Sequence, residues 1–310
     1  PIDSVRRLAR QSNASQAWTL IGWSGVIAAF LILSFYSVVA GWALEYVKTA
    51  AVGGFAGWEG ASASSAFDAL LANPGRLVLW QSLFMGLTVL VVAMGVTRGL
   101  ETAVRLLMPL LFLLLLLLLV YAAIAGDFAQ GLGFMFGFQW RDLSWEAAGV
   151  ALGHAFFTLS LAMGAIMAYG SYMPGKASIG KMVLTVAALD TLVALVAGLA
   201  MFPIVFATSG VDPGAGPGLM FISLPVAFGS MPLGALFGVA FFVLVSLAAW
   251  SSSISLLEPC VAYVTERFGL GRGLANFCVA GAAWVLGLGS VLSFNHWADM
   301  TWLFGMTVFD

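Results

Sequence analysis

The stretch of sequence that decides the fold runs Phe156-Phe157-Thr158-Leu159-Ser160-Leu161-Ala162-Met163-Gly164. It places two hydroxyls and a glycine in the middle of a long apolar segment, where an unsatisfied polar group is costly. In one interpretation the hydroxyls bond back to the carbonyl four residues earlier, which is common in membrane helices. In the other interpretation the helix is broken, and its freed carbonyl and N–H groups bind an ion and a charged solute.

The composition around this stretch is that of a membrane protein. The chain has 310 residues, of which 62% are hydrophobic and 8% are charged, with a mean hydropathy of +1.03. A soluble domain normally carries about 25% charged residues, so lipid is the main solvent of this chain. The net charge is −2 and the sequence has no basic patch to neutralise phosphates, so no nucleic acid partner is predicted. Cys260 and Cys278 both lie in apolar surroundings, which favours buried small hydrophobes over a disulfide or a metal pair.

Seven segments are apolar and long enough to cross a bilayer as helices, for which about 20 residues are needed. They lie at roughly 18–46, 77–97, 103–125, 148–173, 179–206, 232–265 and 272–293. The apolar segment 217–231 is too short to cross, and it predicts an extracellular re-entrant or interfacial segment. The sequence therefore predicts an all-α polytopic membrane protein, with a single transmembrane domain over residues 1–310.

Positive charges in the connecting loops indicate how the chain is oriented. One set of alternate loops carries nine basic residues, namely Arg6, Arg7, Arg10, Arg98, Arg105, Lys176, Lys181, Arg267 and Arg272. The other set carries three, namely Lys48, Arg76 and Arg141. Because basic loops stay in the cytoplasm, residue 1 is predicted on the cytoplasmic side and residue 310 on the extracytoplasmic side of the cell (inner or plasma) membrane.

Three further polar features lie inside the predicted spans. The run Ser251-Ser252-Ser253, followed by Ser255, offers hard oxygen ligands that suit Na⁺, or else packs helices together as small residues do. Asp190 lies well inside its span, where a carboxylate either faces a bound cation or is a protonated structural acid. Glu258 precedes Pro259 toward the cytoplasmic side, and it either lines an inner exit route or bonds to a neighbouring helix.

Two motifs carry a resemblance to a known family. Gly153–Ile166, continued by Tyr169-Gly170-Ser171-Tyr172-Met173, resembles the sixth helix of the neurotransmitter:sodium symporter family, and is closest to its bacterial amino-acid transporter branch. The run from Ser251 to Pro259 is a second match. The resemblance covers nearly the whole chain and implies that the seven spans are the family's third to ninth helices. It implies part of an inverted-repeat, leucine-transporter-like fold with a broken helix at the midplane, cut at both ends.

The resemblance also implies which residues bind substrate and form the gates. Tyr36, midway along the first span, matches a tyrosine that contacts the substrate carboxylate, and Phe157 matches the aromatic lid of the pocket. Ser160 lies where unwound backbone meets the substrate amino group. The implied substrate-binding set is Ile32, Tyr36, Phe157, Thr158, Ser160, Met163, Ser252 and Leu256. The implied gating residues are Tyr36, Phe157, Tyr172 and Glu266.

Two sodium sites are implied, and both are incomplete in this chain because the family's first helix supplies ligands to each. The matching residues are Thr158, Asp190, Ala248, Ser251 and Ser252. Asp190 replaces an asparagine of the family, and Ala194, one turn further on, replaces a residue that is a serine in chloride-dependent members. Because the Asp190 carboxylate supplies a fixed negative charge, we predict that chloride is not required.

The function implied by the resemblance is sodium-coupled symport of an amino acid by alternating access, without enzyme activity. The apolar residues Ile32, Phe157, Met163 and Leu256 favour a hydrophobic or aromatic substrate. The alternative is a transporter of the same fold that moves another small solute or is coupled to a different ion. A channel would need a continuous polar pore face and a membrane enzyme an acid–base or metal constellation, and the sequence favours neither. The implied partners are the amino acid, the lipid bilayer and missing helices of the same chain.

Overall fold

The computed structural model describes residues 2–137, 143–170, 178–208, 216–301 and 305–309, and within these ranges the chain is built mainly of helices. The α-helices are α1 (Ile2–Gln11), α2 (Thr19–Ala51), α3 (Gly60–Leu71), α4 (Pro74–Ala93), α5 (Thr102–Ala125), α6 (Phe128–Phe136), α7 (Trp145–Thr158), α8 (Ala165–Gly170), α9 (Ile179–Phe206), α10 (Leu224–Ser230), α11 (Gly234–Phe268) and α12 (Arg272–Ser293). Short 3₁₀ or π segments precede α2, α5 and α10, at Gln16–Trp18, Val96–Glu101 and Leu219–Ser223.

Six helical segments in the described part of the chain are long and apolar enough to cross a membrane. They are Gln16–Ala51, Pro74–Ala93, Gly99–Ala125, Ile179–Phe206, Gly234–Phe268 and Arg272–Ser293, and each overlaps one predicted span. The remaining predicted span, 148–173, overlaps α7 and contains α8, and neither of these helices is long enough to cross alone. The short helix α10 lies within the predicted re-entrant segment 217–231. The helices α1, α3 and α6 occupy segments in which the sequence predicted no helix.

Polar capping residues set where several helices begin. α4 begins after Asn73, whose side-chain oxygen accepts a hydrogen bond from the Arg76 N–H at 3.0 Å, and Pro74 occupies the first turn. α7 begins after Ser144, whose hydroxyl accepts a hydrogen bond from the Ala147 N–H at 3.0 Å. Such caps satisfy first-turn N–H groups that hydrocarbon cannot satisfy, so these helices begin where the sequence provides a polar acceptor.

Four helices, α2, α4, α11 and α12, pack against one another and form the scaffold of the molecule. The Gln81 side-chain amide of α4 donates to the Ser37 hydroxyl of α2 at 3.3 Å and to the Trp284 carbonyl of α12 at 3.2 Å. Thr88 of α4 and Ser253 of α11 share a hydrogen bond of 2.8 Å between their hydroxyls. Because lipid cannot satisfy these buried groups, the bonds fix the four helices relative to one another.

The other helices pack around this scaffold and against one another. α5 packs against both α9 and α11, α6 lies against α9, and α8 contacts α11. Only 6% of the most apolar part of α9 is buried among the described residues. The described structure therefore contains a tightly packed scaffold of four helices, and the helices α7 to α9, two of which carry the interrupted span, lie outside it.

Gly287 of α12 is a point of close approach within the scaffold. A Cβ at this position would overlap the Gln81 side-chain nitrogen and lie 2.6 Å from the Ser34 carbonyl oxygen of α2. We expect Gly287→Ala to lower the free energy of unfolding by about 1–3 kcal/mol, because a helix backbone cannot move aside cheaply. The measurement is the midpoint of thermal unfolding of the purified protein in a single detergent.

Gly281, earlier on α12, is the matched control for this prediction. A Cβ there meets no atom within 4 Å. Gly281→Ala should leave stability unchanged or raise it by up to about 1 kcal/mol, since alanine is the better helix former. If both variants unfolded at the wild-type midpoint, the close contact at Gly287 would not limit packing.

Candidate functional site

The predicted span 148–173 is interrupted between the end of α7 and the start of α8. Within the interruption Ser160, Ala162 and Gly164 have positive φ angles of 53°, 64° and 71°. A residue other than glycine costs about 1 kcal/mol or more in this conformation, so two strained residues are held here by their surroundings. The broken helix is confirmed, and the alternative of a continuous helix with back-bonded hydroxyls is wrong. The Ser160 and Leu161 N–H groups donate to the Phe157 and Phe156 carbonyls in turns, and a helix broken in this way is the form in which transporters present backbone groups to a ligand.

The break is held against the scaffold by close contacts. A Cβ on Gly25 of α2 would lie 2.9 Å from the Gly164 nitrogen, so the absence of a side chain lets the two backbones meet. Met163 is buried in the same apolar cluster as Leu256 of α11. These contacts place one side of the break on α2 and α11, and they leave its other side facing a cavity.

The cavity beside the break has a volume of about 380 Å³, within the usual range of ligand sites. The described residues that line it are Ile32, Tyr36, Val104, Met108, Phe157, Thr158, Ser160, Met163, Ala165, Asp190, Ser251, Ser252, Ser255 and Leu256. Every member of the implied substrate-binding set is on this wall, although the set comes from α2, α7, the break and α11. The structure therefore brings these residues together, and their roles remain predictions.

The wall of the cavity combines apolar and polar groups. Ile32 and Leu256 supply apolar surface from α2 and α11, and the half-exposed ring of Phe157 supplies it from the end of α7. The Tyr36 hydroxyl lies within hydrogen-bonding reach of the Ser252 side chain. A solute in this cavity can thus bury an apolar part while its polar part meets hydroxyls and the backbone of the break.

Oxygen ligands suited to a hard cation lie in the same place. Thr158, Asp190, Ser251 and Ser252 all line the cavity, and Ala248 lines an adjoining cavity of about 510 Å³ together with three of these four. The Thr158 hydroxyl donates to the Ala155 carbonyl at 3.4 Å, a long bond that a cation can replace. Hydroxyl, carboxylate and carbonyl oxygens are the donors that hard cations prefer, so this donor set fits sodium.

The serine run of α11 serves two purposes. Ser251 and Ser252 face the cavity, whereas Ser253 is fully buried against Thr88 of the scaffold. Ser255 lines the cavity and accepts a hydrogen bond of 2.6 Å from the Tyr169 hydroxyl of α8. Some serines of the run are therefore placed to offer oxygen ligands, and others pack helices together. Both occur in one run because successive helical residues point about 100° apart.

The remaining sequence-predicted residues lie away from the cavity wall or cannot be placed. Glu266 is exposed near the end of α11, and Tyr172 lies outside the described residues. Ala194 is exposed on α9, one turn from Asp190, and is absent from the described walls of both cavities. Glu258 is fully buried and pairs with Arg272 of α12. Of the two interpretations of Glu258, the structure favours bonding to a neighbouring helix.

Sequence reasoning missed the contribution of α5 to the cavity. Val104 and Met108 line it, and both are apolar residues in a strongly apolar helix, so their chemistry does not mark a site. The partnership of Tyr169 with Ser255 was also missed, although both residues were quoted in the two motifs. Only the rotation of each helix about its axis, which the sequence does not specify here, could have revealed these contacts.

A helical membrane protein with a helix broken beside a cavity of hydroxyls and one carboxylate has the architecture of a secondary transporter. Residues 67–300 match the profile of the sodium:neurotransmitter symporter family. The chain is 37% identical over 309 residues to the uncharacterized sodium-dependent transporter YhdH of Bacillus subtilis, a match that covers 100% of this chain and 67% of the relative. It is 28% identical over 308 residues to an uncharacterized sodium-dependent transporter of Haemophilus influenzae, covering 98% of this chain and 67% of that protein.

A solved structure is also similar to this chain. The crystal structure of MhsT in complex with L-phenylalanine superposes with a TM-score of 0.87 and 39% sequence identity, covering 100% of this chain and 69% of that one. The chain thus spans about two thirds of the length of these proteins. It belongs to the sodium:neurotransmitter symporter family, which confirms the resemblance and the leucine-transporter-like fold class. It is accordingly a sodium-dependent, multi-pass membrane transporter and not an enzyme.

Proposed function

We propose that this chain forms part of the substrate and sodium sites of a symporter for a hydrophobic or aromatic amino acid. The observation that carries the proposal is the cavity beside the broken helix, on which apolar side chains, hydroxyls and a carboxylate meet. The similarity to MhsT, whose structure contains L-phenylalanine, supports an amino acid of this class.

The cavity can satisfy each part of a zwitterionic amino acid. The Tyr36 hydroxyl can donate to the substrate carboxylate, and the carbonyls freed at Ser160 can accept from its ammonium group. Ile32, Phe157 and Leu256 surround the substrate side chain with apolar surface. Because both charged ends of the substrate must leave water, a site without such partners would bind it poorly.

Sodium supplies the driving force in this proposal. The hydroxyls of Ser251 and Ser252, the Ala248 carbonyl and the Asp190 carboxylate are the ligands contributed by this chain, with Thr158 shared between ion and substrate. Each sodium ion that moves inward down a potential of 100 mV contributes about 2.3 kcal/mol. We propose two sodium ions, with the remaining ligands in the part of the relatives' length that this chain does not span. The fixed charge of Asp190 makes chloride unnecessary.

In this proposal the transporter works by alternating access. The helices α7 to α9 rock against the scaffold formed by α2, α4, α11 and α12, so that the cavity opens to one side at a time. Tyr36 and Phe157 close the outer side, and Tyr172 and Glu266 act at the inner side. In this arrangement residue 1 is cytoplasmic and residue 310 extracytoplasmic, in the cell membrane.

The test is uptake by the full-length protein reconstituted in liposomes, with a panel of labelled amino acids. We expect uptake of a hydrophobic or aromatic amino acid that requires an inward sodium gradient and proceeds equally when gluconate replaces chloride. Uptake that ignores sodium would overturn the coupling mechanism. Transport of a different class of solute would overturn the substrate assignment, and an absolute requirement for chloride would overturn the role given to the Asp190 charge.

A further inference from the structure

A chain of hydrogen bonds connects the inner half of the broken helix to the serines of the cavity. The Tyr169 hydroxyl of α8 donates to the Ser255 hydroxyl of α11 at 2.6 Å. The Ser255 hydroxyl in turn donates to the Ser251 carbonyl at 3.0 Å. The Ser251 hydroxyl donates to the Ala248 carbonyl at 2.8 Å, and both of these residues line the cavities that hold the proposed sodium ligands. Tyr169 is therefore linked to the ion site although it does not line the cavity.

The position of this contact distinguishes it from the buried hydrogen bond between Thr88 and Ser253. The bond between Thr88 and Ser253 joins two helices of the scaffold, which move together if the scaffold is rigid. The bond between Tyr169 and Ser255 instead joins the scaffold to α8, which is one of the helices that move against the scaffold in the proposed transport cycle. A hydroxyl–hydroxyl bond is directional and is lost beyond about 3.5 Å, so relative movement of α8 and α11 breaks it.

We propose that Tyr169 and Ser255 form a positioning contact that holds α8 packed against α11. This packed position of α8 is coupled to sodium binding at Ser251 and Ser252. The inference rests on the proposed sodium symport. Donation from Tyr169 leaves Ser255 free to direct its own proton at the Ser251 carbonyl, and this fixes the turn of α11 that presents the serine pair. Coupling of this kind is reciprocal. If the conformation with α8 packed against α11 binds sodium better, sodium favours that conformation by the same factor.

The test removes either end of the contact in the full-length protein reconstituted in liposomes. Tyr169→Phe deletes the donor without touching the cavity, and Ser255→Ala deletes the acceptor. We expect each variant to raise the sodium concentration for half-maximal uptake about three- to tenfold, the range that corresponds to one hydrogen bond between membrane helices. The double variant should show no larger change than Ser255→Ala alone, because the bond that Tyr169→Phe removes is already lost when Ser255 is replaced. Ser255→Thr, which keeps the hydroxyl, should restore the wild-type value.

Thr88→Val is the matched control, since it removes a buried hydroxyl–hydroxyl bond to α11 within the scaffold. It should lower the midpoint of thermal unfolding and leave the half-maximal sodium concentration unchanged. If Tyr169→Phe left that concentration unchanged in a protein with sodium-driven wild-type uptake, the coupling would be overturned while the symport proposal stood. Wild-type uptake that ignored sodium would overturn both.

Discussion

Asp190→Ala should abolish sodium-driven uptake at ordinary sodium concentrations. Asp190 lies where the two cavities adjoin, and Ser251 and Ser252 of α11 line both of them as well. A full charge about 4 Å from a cation contributes up to about 4 kcal/mol at the effective dielectric constant of a protein site. Loss of about 2–4 kcal/mol corresponds to a roughly 30- to 1,000-fold weaker apparent affinity for sodium. The measurement is initial uptake against sodium concentration, in liposomes that contain the full-length variant.

Two further variants separate charge from geometry and from general damage to α9. Asp190→Asn keeps an oxygen ligand and removes the charge, so we expect an intermediate loss of sodium affinity. Thr191→Val changes the next residue, whose hydroxyl donates to the Ala187 carbonyl at 2.9 Å within the helix, and it should behave as wild type. Wild-type sodium dependence in Asp190→Ala would remove this carboxylate from the ion site.

The sequence could predict the long helices because their hydrophobic runs admit few alternatives. Apolar segments such as 179–206 must be helical in lipid, and α9 has the bounds Ile179–Phe206. The broken helix could be predicted through resemblance, because Phe157-Thr158-Leu159-Ser160 is a specific string. Physical reasoning alone left it open, since hydroxyls in a continuous membrane helix give the same pattern until the backbone is seen.

What could not be predicted depends on how each helix is rotated. Glu45 of α2 receives hydrogen bonds from the Trp80 indole and, at 2.5 Å, from Arg76 of α4. These partners are more than 30 positions away in the sequence, and Arg76 entered the sequence analysis only as a positive charge in a loop. The same applies to the serine run, whose neighbouring residues face the cavity or the scaffold according to an angle that the sequence does not state. The composition of a segment indicates that it lies within the membrane, whereas only its packing against other helices determines which way each side chain faces.

Glu258→Met should destabilise the protein more than any scaffold substitution considered above. The Glu258 side chain is fully buried, and Arg272, which is 27% exposed, pairs with it while donating to the Val92 carbonyl at 3.2 Å. Removing one member of a buried ion pair leaves the other charge without compensation, which costs about 3 kcal/mol or more. We expect a lower midpoint of thermal unfolding for the purified full-length variant, with a smaller decrease for Glu258→Gln, which can still accept a hydrogen bond.

The double variant Glu258→Met/Arg272→Met is the decisive comparison. Apolar residues of similar volume can replace a buried ion pair at little cost, because the desolvation penalty of both charges disappears with their attraction. The double variant should therefore unfold at a higher temperature than Glu258→Met alone, even though it carries one more substitution. If the two changes simply added, the pair would be contributing through shape and not through charge, and this end of the scaffold would be held by packing alone.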